Sequence, residues 1–248
     1  MARTIQEVFN SFVQPVEREL ELATATNACE ASFYAQTDRV TNKWHHYLGV
    51  YDRHLGRSRD QPVRLLEIGI REGGSLQMWR RYLGPRAIIH GIDVDPSCAE
   101  IDDLDVTITV GSQADGAVLH DVVQKMGGLD VVIDDGSHFW SHQIATFEFL
   151  YPLLSETGVY ICEDTHTSYW PGFEGQPPAG ESFIAFAKRL IDDLHVWYQL
   201  ERGAADGEAF ARRTRSINIY DSMVVFEKEV RPRPRNCTFG SRFLSRGG

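Results

Sequence analysis

Between residues 64 and 162, short apolar runs alternate with segments whose apolar residues recur every three or four positions. The runs Arg64 to Ile68, Ile88 to Ile92, Val106 to Val110, Leu129 to Ile133 and Gly158 to Cys162 have the length and near-continuous apolar character of strands buried on both faces. Between them, Ser75 to Tyr82, Asp115 to Met126 and Trp140 to Leu154 carry helical spacing. This alternation predicts right-handed crossovers and a mainly parallel sheet with helices on both faces. Ahead of it, Thr4 to Leu55 reads as a helical lead-in, with Val8, Phe9, Phe12, Val13 and Val16 on one face and Trp44, Tyr47, Leu48, Tyr51 and Leu55 on another. Thr37-Asp38 and Thr41-Asn42 offer cap acceptors, so the second helix is expected to start near one of them. Beyond the alternating zone come a helix over Glu181 to Leu194, a strand over Val196 to Leu200, a polar stretch and a strand over Ser216 to Glu227. The last two strands predict a hairpin that adds one antiparallel strand. The expected fold is a Rossmann-like α/β sheet with a helical N-terminal extension over 1–57, a catalytic domain over 58–230 and a basic tail over 231–248.

Composition narrows the classes. No apolar stretch approaches the length of a bilayer span, so a membrane protein is not expected. The N-terminus mixes Glu17, Arg18, Glu19 and Glu21 with apolar residues and lacks the apolar core and cleavage site of a secretory signal. Cys29, Cys98, Cys162 and Cys237 are scattered with no Cys-x-x-Cys pair, which argues against a zinc knuckle and for a reducing compartment, the cytoplasm. The net charge of -10 repels polyanions, so nucleic acid is not an expected partner. Arg231, Arg233, Arg235, Arg242 and Arg246 nevertheless form a basic tail, interleaved with Pro232 and Pro234, that reads as a solvated segment or an oligomer arm. Together with the helical lead-in it points to a homo-oligomer.

The candidate chemistry lies at the carboxyl ends of the expected strands, where open sheets gather ligands. Leu65 to Ser75 is an apolar strand running into a glycine-rich turn and then a helix, a common cradle for nucleotide-like cofactors. Gly69, Gly73 and Gly74 do not keep dinucleotide spacing. Glu67 precedes the turn, Asp93 follows the second strand and suits two ribose hydroxyls, and Gly111-Ser112-Gln113 follows the third, where an amide can meet an adenine edge. Each also has a local alternative as a cap, an Asx-turn or a loop amide. Further on, Asp134-Asp135-Gly136-Ser137-His138 and Glu163-Asp164-Thr165-His166 end two consecutive strands. Adjacent strands lie about 4.8 Å apart, so Asp135, Glu163 and Asp164 come within reach of one cation. Oxygen ligands favour Mg²⁺, with Mn²⁺ or Ca²⁺ as alternatives. His138, three residues past Asp135, is placed to take a proton from a substrate oxygen. The same run also suits a tight turn in which Asp135 and Ser137 cap a helix. His166, Tyr169 and Trp170, with Phe173, suit the apolar face of a sugar or polyketide, or simply pack their loop down.

Leu65 to Ser75, Ile92-Asp93 and Tyr220-Asp221-Ser222-Met223-Val224-Val225-Phe226 resemble a class I S-adenosylmethionine-dependent methyltransferase. Thr37-Asp38, Lys43-Trp44-x-x-Tyr47, Glu67-Ile68-Gly69, Gly73-Gly74-Ser75-Leu76-x-Met78-Trp79, Asp134 to His138 and Glu163-Asp164-Thr165 more narrowly resemble metal-dependent sugar O-methyltransferases of antibiotic biosynthesis, the macrolide and rhamnose methylating group. The resemblance implies S-adenosylmethionine held by Glu67, Gly69, Ser75, Asp93, Ser112 and Gln113, with Asp134 near its methionine end. The expected activity is methylation of a sugar hydroxyl on a nucleotide-sugar or glycosylated natural product. A catechol-type small-molecule O-methyltransferase and a non-catalytic cofactor-binding protein are the alternatives.

Overall fold

The computed structural model describes residues 4, 7, 8, 11, 16–101, 103–171, 173, 174, 181–200 and 207–241. Phe9, Phe12 and Val13 of the first apolar face, and Arg242 and Arg246 of the tail, lie outside the described residues. Seven strands form one sheet: β1 (Arg64–Ile68), β2 (Ile88–Asp93), β3 (Thr107–Val110), β4 (Val131–Asp134), β5 (Val159–Cys162), β6 (Thr214–Tyr220) and β7 (Met223–Lys228). Their order is β3-β2-β1-β4-β5-β7-β6. The first five pair in parallel, and β7 runs antiparallel to both β5 and β6. The order reverses between β1 and β4, which opens a crevice at the carboxyl ends of those strands.

Alternating residues of each strand face opposite layers. Leu65, Val131, Ile133, Val159, Ile161, Met223 and Val225 pack beneath helices α1 to α4, which span Arg18–Thr24, Ala28–Tyr34, His45–Leu55 and Gly74–Leu83; the buried contacts come from the last three, through residues such as Cys29, Tyr47, Tyr51, Leu76 and Trp79. Leu66, Ile68, Val132, Tyr160, Cys162, Val224 and Phe226 face the other layer, covered by α5 (Gly116–Met126), α6 (Trp140–Leu150) and α7 (Phe183–Leu194) through Leu119, Phe147 and Phe183. Helix α5 starts on an Asp115 carboxylate that accepts from Ala117 N and ends on Gly127 at φ +69°. A final short helix, α8, covers Glu208–Ala211.

Four details depart from the sequence expectation. Val196 to Leu200 is not a strand: Val196–Tyr198 is a 3-10 turn and Leu200 is exposed, and the place beside β5 is filled by β7. The expected strand over Ser216 to Glu227 is broken at Asp221-Ser222, where Ser222 takes φ +60°, and its two arms form the hairpin by themselves. Helix α6 stops at Leu150 and tightens into a 3-10 turn over Tyr151–Leu153, since Pro152 has no N–H to continue the ladder. The second lead-in helix starts at His45 rather than near Thr37 or Thr41, leaving Gln36 to Trp44 as a largely extended strap across the sheet edge. No helix among the described residues is long and apolar enough to cross a membrane.

Lys228 ties this layer together. Its Nζ donates to the carbonyls of Tyr151, Pro152 and Leu154 at 3.1, 3.2 and 2.7 Å, satisfying acceptors that the end of α6 leaves open. Replacing it by methionine strands three buried carbonyls. Lys228→Met should therefore lower the urea-unfolding free energy by about 2 to 3 kcal/mol with an unchanged m-value; a loss below 0.5 kcal/mol, the ordinary scatter of a surface change, would refute the role.

Candidate active site

The register places Ile68, Asp134 and Cys162 side by side on β1, β4 and β5, so Gly69, Asp135 and Glu163 each stand one step beyond the paired ends. Gly69 turns the chain at φ +84°, and a Cβ there would lie 2.0 Å from the Asp135 carbonyl oxygen, so no side chain fits. Past this edge opens a cavity of about 970 Å³, lined by the glycine turn on one side and by Asp135, His138, Asp164, Trp170 and Phe173 on the other.

Strand alternation sorts the acids. Glu67, Asp135 and Glu163 lie on the face covered by α3 and α4, whereas Asp134 lies on the opposite face. Into the first group comes Lys43 from the strap, its side chain 2% exposed. Its Nζ donates to Asp135 Oδ2 at 2.7 Å, to Glu163 Oε1 and Oε2 at 3.0 and 3.1 Å, and lies 3.5 Å from Glu67 Oε1. Tyr51 OH adds a 2.5 Å bond to Glu163 Oε1. Burial works against the Lys43 charge, but Asp135, Glu163 and Glu67 hold its pKa well above the usual lysine value. One ammonium does not cancel the surrounding acids: burial and the Asp135 charge still push Glu163 well above the carboxylate range, and loss of solvent pushes Asp135 upward as well. The surplus negative charge is relieved by taking up protons or a cation.

On the cavity wall two carboxylates and an imidazole are aimed at one another. Asp164 Oδ1 accepts from Tyr47 OH at 2.8 Å and Trp44 Nε1 at 3.1 Å, which leaves Oδ2 turned toward His138. Asp135 is held through Oδ2, so Oδ1 faces the same imidazole. His138 Nε2 stands 3.9 Å from Asp135 Oδ1 and 3.7 Å from Asp164 Oδ2, and ligand atoms of the three residues lie within 4.8 Å of one another. Both turns are strained, with His138 at φ +57° and Asp164 at φ +51°, a conformation non-glycine residues adopt at a cost. The His138 Nδ1 is buried and without a hydrogen-bond partner. Glu163, expected beside Asp164 on the cation, also lines the cavity, and its carboxylate accepts from Lys43 Nζ and Tyr51 OH.

The cofactor side is similarly divided. Asp93 lines the cavity and braces the glycine turn, its Oδ2 accepting from Ile70 N and Arg71 N at 2.9 Å each. Ser75 and Ser112 also line it. Glu67 is fully buried behind, accepting from Ser75 Oγ at 2.7 Å. Gln113, expected at an adenine edge, lines the cavity, and both sides of its amide have partners within the chain: Nε2 donates to Asp134 Oδ1 and Thr146 Oγ1, and Oε1 accepts from Ser137 N at 2.8 Å. Asp134, expected near the methionine end, accepts from Tyr160 OH at 2.7 Å and sits 1% exposed away from the cavity wall. Of the expected substrate aromatics, His166 and Trp170 line the cavity with ring centroids 4.4 Å apart, but Tyr169 is 70% exposed outside it. Lys43, Tyr47 and Tyr51 were assigned no role from the sequence; the Lys43-Trp44-x-x-Tyr47 spacing was the available signal.

The geometry has relatives. No protein-family profile matches the chain. Over 236 residues, 89% of the chain, it is 36% identical to the 8-demethyl-8-(2-methoxy-alpha-L-rhamnosyl)-tetracenomycin-C 3'-O-methyltransferase of Streptomyces olivaceus, covering 59% of that protein. It is 37% identical over 196 residues, 73% of the chain, to the L-olivosyl-oleandolide 3-O-methyltransferase of Streptomyces antibioticus, covering 50% of it. The MycE methyltransferase from the mycinamycin biosynthetic pathway, solved in complex with Mg, SAH and mycinamycin VI, matches 92% of the chain and 67% of its own at 28% identity and a TM-score of 0.69. The chain belongs to the class I S-adenosylmethionine-dependent O-methyltransferases, in the group that serves antibiotic pathways. It spans about half the length of the curated relatives it matches. Within this methyltransferase fold, the structure makes Asp134 a buried brace and Tyr169 a surface residue. Asp134→Ala, which strands the Tyr160 hydroxyl and the Gln113 amide, should cost on the order of 2 kcal/mol in chemical unfolding, whereas Tyr169→Ala should stay within about 0.5 kcal/mol of the parent. Equal effects would show that the two residues are wrongly sorted.

Proposed function

We propose that the protein transfers a methyl group from S-adenosylmethionine to a sugar hydroxyl of a glycosylated natural product, with a divalent cation, Mg²⁺ in the first instance, at the acceptor. The observation that carries this reading is the convergence of Asp135 Oδ1, Asp164 Oδ2 and His138 Nε2 on the cavity wall opposite the Gly69 turn. The oxygens fit a hard cation: each carboxylate has its other oxygen fixed, by Lys43 or by Trp44 and Tyr47, so the inward oxygens are pre-aimed. Glu163 is the third carboxylate of the set. A divalent cation held there would stabilise developing alkoxide on an acceptor oxygen, and bound S-adenosylmethionine would supply an electrophilic methyl. Because Mg²⁺ takes oxygen ligands, His138 Nε2 stays available to accept the hydroxyl proton as general base. Gly69, Ser75, Asp93 and Ser112 line the donor side, and His166 and Trp170 form part of an aromatic wall for the apolar face of a sugar or aglycone.

Charge favours a glycoside over a nucleotide-sugar. The described lining residues include Glu72, Asp93, Asp135, Glu163 and Asp164 against Lys43 and Arg71, and Lys43 is already committed to the acids. A diphosphate would enter a net negative cavity. Cys29, Cys98, Cys162 and Cys237 are free thiols, which supports a cytoplasmic setting.

Incubation with S-adenosylmethionine and a panel of neutral glycosides and nucleotide-sugars, with products read by mass spectrometry, should give a methylated glycoside whose formation stops with EDTA and returns with Mg²⁺. His138→Ala should lower kcat by about 10² to 10⁴-fold with donor affinity retained in calorimetry. Turnover indifferent to EDTA would remove the cation from the reaction, and a His138→Ala variant at full rate would remove the base.

A further inference from the structure

The chemistry proposed above uses Lys43 only to hold one oxygen of Asp135, yet the chain goes to some length to deliver its ammonium. The strap that carries it is anchored by Gln36 Nε2 on the Arg39 carbonyl at 2.8 Å, by Arg39 on Asp103 and on the Glu72 carbonyl, and by the Val40 carbonyl, packed so closely on Gly74 that a Cβ there would lie 2.2 Å from its oxygen. At its end the side chain is almost fully enclosed, and its donors are spent on Asp135 Oδ2 and both oxygens of Glu163, with Glu67 alongside. A lysine is buried at such cost only against charges it can pair with. Those charges are two of the three carboxylates that the cation reading requires.

We propose that Lys43 is a positioning residue and internal counter-ion of the divalent-cation site. Before an ion arrives, its ammonium keeps the mutually repelling Asp135 and Glu163 together and turns Asp135 Oδ1 into the cavity. An ion held by Asp135 would sit close to the ammonium on Oδ2, and their repulsion would keep ion affinity low. The inference rests on the cation reading above and concerns how that site is tuned, not whether methyl transfer occurs.

Mn²⁺ binding to the full chain, without donor or acceptor, tests it by electron paramagnetic resonance titration. Lys43→Gln, which keeps a hydrogen-bonding side chain but removes the charge, should bind Mn²⁺ on the order of tenfold more tightly than the parent, and Lys43→Arg should stay within about threefold. Parent binding with equal or weaker binding by Lys43→Gln overturns the role of Lys43 alone. No Mn²⁺ bound by the parent removes the cation site, and this inference falls with it. Should Lys43→Gln fail to fold, the parent labelled with ¹⁵N-lysine serves instead: the Lys43 ammonium signal, slowed in exchange by burial and assigned through Lys43→Arg, should shift on adding saturating Mg²⁺. A signal that stays in place overturns the proposal.

Discussion

The site depends on one electrostatic arrangement, the burial of a single ammonium among acids that strand alternation forces onto one face. Glu67, Asp135 and Glu163 come from three neighbouring parallel strands, and the register leaves them no choice of side. Spread over a solvated surface they would repel weakly; enclosed beneath α3 and α4, they would destabilise the edge without Lys43. The lead-in helices are therefore part of the site. Their Tyr47, Tyr51 and neighbouring Trp44 provide donors that take up one oxygen each of Asp164 and Glu163, and the same helices supply part of one hydrophobic layer.

What remains after those pairings is chemically directed. Asp135 and Asp164 each keep one oxygen free of hydrogen bonds toward the cavity, both facing the His138 ring. The left-handed backbone at His138 and Asp164 belongs to the same arrangement, since a relaxed turn at either strand end would carry the side chain elsewhere. Gln113, itself on the cavity lining, receives Ser137 N, and so steadies the turn that presents His138, while its own amide is fixed by Asp134 and Thr146. Strain at the wall is supported by a fully bonded network underneath.

Much of this was legible in the chain. The apolar runs of β1, β2, β4 and β5 are buried on both faces and give parallel strands away, and the acids and glycines at their ends mark the ligand edge. Asp135, Asp164 and His138 could be nominated from adjacency to those ends. The face of a residue within a pair was harder: Asp134 and Asp135 are neighbours in sequence but point into different layers, and only the register decides which reaches the cavity. The Lys43-Trp44-x-x-Tyr47 spacing marked the segment, but the partners of Lys43 lie 92 and 120 positions away, and no local pattern joins it to them. Tyr169 and Trp170 illustrate the same limit in a 3-10 turn, where adjacent aromatics face opposite ways. The strand expected over Val196 to Leu200 failed for a global reason, since a short apolar run becomes a strand only where it pairs, and the places beyond β5 are filled by β7 and β6.

The cavity joins two environments that favour different parts of one reaction. Its acidic floor, at the ends of β4 and β5, stabilises positive charge and so suits both a cation and a sulfonium donor, while opposing an anionic acceptor. Its aromatic wall of Trp44, His166, Trp170 and Phe173 presents apolar ring area rather than formal charge. Burial lowers the His166 pKa, which keeps that ring neutral and part of the apolar wall rather than a second cation. Under the proposed reaction a neutral acceptor would meet the aromatic wall, while a cationic donor and a divalent ion would both gain from the excess of acid that costs the folded chain stability.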